Sequence, residues 1–169
     1  MRVGLVADTH LLPRGGVVAL PPALLRGLAG CAAILHAGDV ACREVLEALA
    51  AVAPVHAVAG NVDDPGLGLP AQLLLQLGGR AVGLAHGHAG PGRTVEEKAL
   101  RACPGAEVVV FGHTHRPLVV ARAGGPLLVN PGSPTKPRGL PPTFALLDLS
   151  GPRPQARLVR LSEVDGGSG

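Results

Sequence analysis

Five short apolar runs in this sequence each lead into polar side chains that commonly bind metal ions. Buried strands of an α/β sheet form such continuous apolar runs, and ligands gather outside their carboxyl ends. We therefore expect Asp, His and Asn side chains from distant positions to converge at one edge of a sheet system. The runs and the residues that follow them are 3–7 before Asp8, Thr9 and His10, 32–36 before Gly38 and Asp39, 55–59 before Gly60 and Asn61, 81–85 before His86, Gly87 and His88, and 108–111 before Gly112, His113, Thr114 and His115.

The spacing within these groups suits a metal centre. Asp8 and His10 are two residues apart, as are His113 and His115. In extended backbone such residues project to the same side of the chain about 7 Å apart. Their side chains could then converge on one ion, or on two ions about 3.5–4 Å apart. Carboxylate, imidazole and amide ligands suit Mn²⁺, Fe²⁺, Zn²⁺ or Ni²⁺.

Glycines and cysteines add to this interpretation. We expect Gly38, Gly60 and Gly112 to let the backbone turn sharply just before the ligands. The cysteines lie far apart and form no C-x-x-C pair, which argues against a disulfide framework and against a zinc–thiolate site. The cysteines are Cys31, Cys42 and Cys103.

Length and composition favour one domain with a real core. The chain has 169 residues, of which 47% are hydrophobic. We expect a single domain over residues 1–161 and a flexible tail at 162–169. The apolar stretches fall short of the roughly 20 residues that span a membrane, and no export signal is visible, so we expect a cytoplasmic protein with no membrane contact. A net charge of +3, scattered Arg residues and the lack of Tyr and Trp argue against a nucleic-acid partner.

The order of predicted elements indicates the fold class. Helix signals alternate with strands in the first two-thirds of the chain, as in βαβ units. These signals are Pro21-Pro22, the segment 41–50, and a capping box from Thr94 to Glu97. Later segments pair as hairpins or closing strands, so we predict an α/β fold with a two-layer β-sandwich of mixed sheets flanked by helices. The later segments are 72–77 with 81–85, 118–121 with 127–129, and 144–149 with 157–161.

Taken together and in this order, the five motifs resemble the signatures of the calcineurin-like metallophosphoesterases. The resemblance covers residues 1 to about 150 and is strongest to the small bacterial and archaeal phosphodiesterase branch, which also contains the retromer scaffold subunit of eukaryotes. The segment 130–133, followed by Pro137-Arg138, is similar to a loop that these small members carry beside the site.

The resemblance implies a dinuclear metal centre, and every ligand position of the family holds the expected residue type. We expect Asp39, Asn61 and His88 to take part in catalysis, with His88 beside the phosphate rather than on a metal. His36 is expected to pack or to support a ligand. One metal would be held by Asp8, His10 and His115, the second by Asn61, His86 and His113, with Asp39 bridging both.

One departure from the family pattern concerns the leaving group. Many larger members carry a His directly after the Asn of the Gly-Asn motif, whereas this chain has Val62. Valine cannot donate a proton, and general acid–base catalysis typically contributes about 10²–10⁴-fold. Small members of the branch also commonly lack this His, so its absence does not imply an inactive enzyme. Because Val62 cannot protonate the leaving group, we expect a preference for diesters with good leaving groups over alkyl monoesters.

The implied function is a dinuclear-metal-dependent phosphoesterase that hydrolyses phosphodiesters by attack of a metal-bound hydroxide. Mn²⁺ is our first choice of ion, with Ni²⁺, Fe²⁺ or Zn²⁺ as alternatives, and the substrate would be a small phosphodiester or a nucleotide-like molecule. Two other functions stay open: a non-catalytic metal-binding scaffold of the same fold and, ranked lower, a nuclease.

Further partners follow from the surface. Arg14, Lys136 and Arg138 are candidate phosphate contacts, although an ordinary solvated position explains each of them as well. The apolar composition is also compatible with a homo-oligomer.

Overall fold

The apolar runs form two five-stranded mixed sheets that pack face to face. The computed structural model describes residues 1–165. The strands are β1 Arg2–Val6, β2 Ala33–His36, β3 Val55–Ala57, β4 Gln72–Leu77, β5 Arg80–Ala85, β6 Val108–Val110, β7 Leu118–Ala121, β8 Leu127–Asn130, β9 Thr143–Asp148 and β10 Gln155–Arg160. The first sheet has the order β10-β9-β1-β2-β3 and the second β4-β5-β6-β8-β7.

The parallel strands lie at the centre of each sheet. In the first sheet β1, β2 and β3 run parallel, and β9 and β10 add antiparallel strands on one side. In the second sheet β5, β6 and β8 run parallel, with β4 and β7 antiparallel at the two edges. Because parallel neighbours end at the same edge, the carboxyl ends of β1, β2 and β3 meet at one place, as do those of β5 and β6.

Helices cover the outer face of each sheet. They are α1 Pro22–Leu28, α2 Arg43–Ala50, α3 Val95–Ala102 and α4 Leu161–Asp165, with a 3₁₀ turn at Pro65–Leu67. Alternate strand residues explain the layering: Leu5 lies in the core between the sheets, whereas Val6 packs with Leu24 and Leu28 of α1. On the other side Ala99 of α3 packs with Phe111. The predicted α/β sandwich of two mixed sheets with flanking helices is confirmed.

The capping box opens α3 as the sequence predicts, with one difference. The Thr94 hydroxyl accepts a hydrogen bond from the Glu97 amide at 3.2 Å. The Glu97 carboxylate accepts from the amide of Arg93 at 2.7 Å, one residue upstream of the usual partner. This reciprocal pair still satisfies two backbone donors and fixes where the helix begins.

The chain's end differs from the expected tail. Residues 161–165 form α4, and Leu161 and Val164 pack against the apolar cluster that contains α1. The packing of these two partly buried side chains explains why this segment is helical where we expected a flexible tail from residue 162. The rest of that prediction concerns residues 166–169, which lie outside the described residues.

Within residues 1–165, none of the helices combines the length and the apolar character that crossing a bilayer requires.

Candidate metal centre

A first group of ligand atoms gathers at the carboxyl ends of β1, β2 and β6. Asp8, His10, Asp39 and His115 each offer an atom, and these atoms all lie within 4.8 Å of one another. The His10 Nε2 atom is 3.2 Å from the His115 Nε2 atom and 3.3 Å from Asp39 Oδ2. The His115 Nε2 atom is also 3.6 Å from Asp8 Oδ1. Such a set of carboxylates and imidazoles could hold a divalent transition metal.

A second group lies on the other side of Asp39. The Asn61 Oδ1 atom is 3.1 Å from His86 Nε2 and 2.9 Å from His113 Nδ1. His86 Nε2 is also 3.3 Å from Asp39 Oδ1. The two oxygens of Asp39 therefore face two different groups of ligand atoms. The structure brings together all seven residues for which the family resemblance implied a metal ligand.

Hydrogen bonds on the outer side of two imidazoles fix what their inner nitrogens can do. His86 Nδ1 lies 2.8 Å from the Ala37 carbonyl oxygen, and His115 Nδ1 lies 2.7 Å from that of Lys136. A carbonyl only accepts, so each Nδ1 donates and the neutral ring presents Nε2 as an acceptor. These inner atoms face carboxylate and amide oxygens, which accept as well. A cation between them would resolve this surplus of acceptors, and the outer bonds are of the kind that orients metal ligands.

A buried carboxylate oxygen points to the same need for a cation. Asp8 is fully buried, and its Oδ2 atom has no hydrogen-bond partner among residues 1–165. Leaving a buried charged acceptor unpaired is costly. The donor set, the fixed tautomers and this unpaired oxygen together fit a metal centre.

The pKa values follow from burial and from the pairing of these groups. Burial raises the pKa of Asp8 to about 7. Burial also acts to raise the pKa of Asp39, but the hydrogen bond and charge of His86 outweigh it and lower that pKa to about 2. The same interaction raises the pKa of His86 against the effect of its own burial. Without a metal, a proton on His86 therefore neutralises part of the surplus negative charge.

Burial acts in the opposite sense on the other ligand imidazoles. It lowers the pKa values of His10, His113 and His115 below the ordinary 6.5. The positive charge of Arg138 adds to this effect at His113 and His115. These rings are therefore neutral near pH 7, which is the form that binds metals.

The backbone around the ligands is not extended, which corrects our expectation for the i, i+2 pairs. The φ angles are 55° at Asp8, 47° at His10, 70° at His113 and 59° at His115. These left-handed turns begin where the strands end, so the two members of a pair need not share a side. Asp8 and His10 do lie in one group, but His113 faces Asn61 whereas His115 belongs with Asp8.

The glycines beside the ligands act in two ways, only one of which we expected. Gly38 has a φ of 88° and turns the chain before Asp39, as predicted. Gly60 and Gly112 are not in the left-handed region and instead provide space. A Cβ atom on Gly60 would collide with the Asp39 backbone nitrogen and carboxylate, and one on Gly112 would lie 2.8 Å from the Ala37 carbonyl oxygen.

Sequence reasoning missed a carboxylate that joins the two ligand loops. Asp63 Oδ1 accepts a hydrogen bond from the Ala41 amide and Oδ2 accepts one from the Gly60 amide, each at 2.7 Å. It thereby fixes the backbone beside Asp39 and Asn61. Only its position two residues after Asn61 could have drawn attention to it.

The loop at 130–133 lies beside the site, as the resemblance implied, and its hydrogen bonds show what it does there. The Asn130 side chain donates to the Gly112 carbonyl at 2.9 Å. The Ser133 hydroxyl donates to the Asp8 carbonyl at 2.8 Å, and the Thr135 hydroxyl donates to the Thr9 carbonyl. The loop therefore supports the backbone of ligand-bearing segments from both sheets.

His88 and His36 lie next to the ligands without joining either group. The His88 ring centroid is 5.2 Å from that of His86 and 6.3 Å from that of His113. His36 is fully buried, and its Nε2 atom is 3.1 Å from the Thr9 hydroxyl. Burial lowers the pKa of His36 to about 3, so the ring is neutral.

The candidate phosphate contacts differ in their relation to the centre. The charge of Lys136 acts on the pKa values of His10 and His115, and that of Arg138 acts on several ligands. Arg14 sits in a short bridge with Val17 in an exposed part of the loop that follows His10.

Similarity to known proteins agrees with this geometry. Residues 1–151 match the family model of the calcineurin-like phosphoesterase superfamily domain. A protein of Methanothermobacter thermautotrophicus named "Probable metallophosphoesterase" is 35% identical over 162 residues, which cover 95% of this chain and 92% of that protein.

Two solved structures share the fold. A crystal structure of a Vps29 single mutant from Entamoeba histolytica has a TM-score of 0.71 and 26% identity, covering 95% of this chain and 99% of that one. The structure of a protein described as a novel archaeal phosphodiesterase has a TM-score of 0.68 and 20% identity, covering 94% of this chain and 100% of that one. The matched residues include strands β1 to β9 and every ligand-bearing loop, and the chain therefore belongs to the calcineurin-like phosphoesterase superfamily.

Proposed function

We propose that this protein is a phosphoesterase with two divalent metal ions, and that it hydrolyses phosphodiesters. The observation that carries the proposal is the position of Asp39, whose two oxygens lie 3.3 Å from imidazoles of two separate ligand groups. A bridging carboxylate between two ions requires this arrangement. In the proposed centre one ion is held by Asp8, His10 and His115, the other by Asn61, His86 and His113, and Asp39 is shared.

The ligand charges suit an anionic substrate. Two divalent ions, when bound, lower the pKa of a water molecule and neutralise the phosphoryl oxygens. The chain itself contributes Asp8 and Asp39 as the negative ligands, and Asn61 supplies a neutral amide oxygen in place of a third. The centre therefore keeps a net positive charge, which favours binding of a phosphate ester. We favour Mn²⁺, and the oxygen and nitrogen ligands also suit Ni²⁺, Fe²⁺ and Zn²⁺.

The preference for diesters rests on the position after Asn61. The backbone amide of Val62 donates to Asp39 Oδ1 at 3.1 Å, and the residue is 48% exposed. This residue supports the carboxylate but offers no proton to a departing alkoxide. Substrates with good leaving groups depend less on that proton.

A comparison of two aryl esters tests the proposal. The purified protein supplied with Mn²⁺ should release 4-nitrophenol from bis(4-nitrophenyl) phosphate faster than from 4-nitrophenyl phosphate. Addition of EDTA should stop both reactions. Equal or reversed rates would remove the diester preference, and no release from either ester would contradict the proposed activity.

A scaffold role is the second candidate, because the structural neighbours include Vps29. A protein that binds two Mn²⁺ ions but hydrolyses no aryl diester, monoester or nucleotide would favour it. The relative named "Probable metallophosphoesterase" and the neighbour described as a phosphodiesterase support the enzyme instead. The complete set of ligand residues gives further support, because a scaffold has no need of one.

A further inference from the structure

A small cavity lies directly beside the metal centre, between the loop that follows β5 and helix α3. Its volume is about 240 Å³, and its wall includes His86, His88, Lys98 and Arg101. His88 connects the two places, because it lines the cavity and its ring lies within 6.3 Å of the rings of His86 and His113. A molecule bound at the centre would therefore have this cavity next to it.

The cavity carries positive charge only. Lys98 and Arg101 are its charged lining residues, and no Asp or Glu among residues 1–165 lines it. The Lys98 ammonium donates to the His88 carbonyl at 3.2 Å, which holds this charge at the wall. Arg101 is exposed and forms no ion pair with any residue from 1 to 165. Two cations without a carboxylate partner attract an anion.

The nearest acidic residues of α3 do not neutralise these cations. Glu97 accepts from the Arg93 amide at the start of the helix, and neither Glu96 nor Glu97 lines the cavity. The His88 ring adds no negative charge, and its buried Nδ1 atom has no hydrogen-bond partner in the described part of the chain. The site therefore combines two cationic donors with an imidazole ring whose Nδ1 atom has no hydrogen-bond partner among residues 1–165.

The size of the cavity limits what can enter. Pockets for drug-sized ligands usually measure about 300–1,000 Å³, so this smaller cavity suits one arm of a substrate rather than a whole nucleotide. We propose that it binds a terminal phosphate carried on one arm of the diester, while the diester phosphorus lies at the metal centre. The inference rests on the proposed function and narrows its substrate class to diesters that bear an additional phosphate group.

A second cavity serves as an internal control. It measures about 540 Å³ and includes Arg80, Arg122 and Arg153 in its wall, but it lies at the opposite ends of β5, β6 and β8. Glu107 lines it and pairs with Arg80 at 2.7 Å. Arg122 is therefore a cavity-lining arginine like Arg101, but it lies far from the metal centre.

A matched pair of substrates tests the proposal. Thymidine 5′-(4-nitrophenyl phosphate) and its 3′-phosphorylated form release the same leaving group and differ by one terminal phosphate. The native protein should show a kcat/KM at least about tenfold higher for the phosphorylated form, mainly through a lower KM, because hydrogen bonds between charged groups are stronger than neutral ones. Arg101→Gln should reduce this ratio severalfold, whereas Arg122→Gln should leave it unchanged.

Direct binding separates the failure of this inference from failure of the proposed function. Calorimetric titration with thymidine 3′-phosphate, with thymidine as reference, requires no catalysis. Weaker binding to Arg101→Gln than to Arg122→Gln supports the site even if neither ester is hydrolysed. Hydrolysis of both esters with equal kcat/KM, together with equal binding to the two variants, would overturn the site and leave the diesterase intact.

Discussion

The two ends of the sandwich both carry charged residues beside a cavity, but they differ in how those charges are satisfied. At the amino ends of β5, β6 and β8, Arg80 and Glu107 form an ion pair at 2.7 Å and their side chains remain 24% and 45% exposed. At the opposite end Asp8 and His86 are buried, and their acceptor atoms face other acceptors. The larger cavity lies at the first end. Buried polar groups that the protein itself does not fully satisfy, and not cavity size, therefore mark the end that we propose binds metal.

The strongest test of this contrast removes a carboxylate from each end. Asp39→Ala should abolish hydrolysis and the joint binding of two Mn²⁺ ions. Loss of a residue that merely supports a ligand typically costs about 10–100-fold, so loss of a shared ligand should cost more than about 100-fold. Glu107→Ala should change neither property. Calorimetric metal titration and the bis(4-nitrophenyl) phosphate assay provide the readouts, and full activity in Asp39→Ala would show that the bridge is misassigned.

A smaller loss of metal affinity is expected at one of two neighbouring carboxylates, at Asp63 but not at Asp64. Asp63→Asn loses the charge that holds the Ala41 and Gly60 amides, so Mn²⁺ affinity should fall about 10–100-fold. Asp64 instead accepts from the Gly66 amide at 2.7 Å in the 3₁₀ turn. Asp64→Asn should therefore leave metal affinity unchanged. Similar affinities in the two variants would argue against a positioning role for Asp63.

The raised pKa values of two proposed ligands, Asp8 and His86, should make metal binding depend on pH. Burial raises the pKa of Asp8 from 3.8 to about 7, so below pH 7 the metal-free carboxyl holds a proton that an ion must displace. The raised pKa of His86 acts in the same direction. Mn²⁺ binding should be at least about tenfold weaker at pH 6 than at pH 8. Titrations in buffers of different ionisation enthalpy would count the released protons, and binding without proton release would contradict the prediction.

The same shift has a consequence for folding. The pKa of Asp8 is higher in the folded state than in the unfolded chain, so this group stabilises the metal-free protein fully below about pH 4. That contribution is lost as the pH rises through about 7. Denaturant unfolding of the metal-free protein below about pH 4 and above about pH 7 would measure the contribution of Asp8, with Asp8→Asn as the reference variant.

The smallest effect is expected at the opposite end. Arg80 donates to Glu107 and to the Gly151 and Pro152 carbonyls. Solvent weakens a partly exposed ion pair, so Arg80→Gln should lower the free energy of unfolding only slightly. Metal affinity and hydrolysis should not change. Urea unfolding measures the free energy of unfolding. A loss of metal binding in Arg80→Gln would contradict the distinction between the two ends of the sandwich.

That the site's residues would lie close together was predictable from the sequence, because they stand at strand ends. Asp8, Asp39 and Asn61 directly follow buried apolar runs or a glycine after them, and the runs read clearly as strands. The two mixed sheets were also predictable from the change from βαβ order to hairpins. The proposed assignment of each ligand comes from the family motifs, because spacing alone left it open.

The local conformation was not predictable in the same way. The pair His113 and His115 looked like i, i+2 residues of extended chain, but both lie in left-handed turns and face different groups. Asp63 escaped notice because its partners are backbone amides of separate loops, which leave no pattern in residue types. The helix at Leu161–Asp165 likewise depends on contacts with a distant cluster that includes α1.

The left-handed turns also affect how long the folded protein survives heat and proteases. Asp8, His10, Asp39, His113 and His115 each hold a backbone conformation that costs a non-glycine residue about 1–3 kcal/mol. Ions that bind only the native chain offset this penalty by mass action. The lifetime of the protein against heat and proteases should therefore rise and fall with the ion supply of the cell, and a metal-starved culture should accumulate less of it.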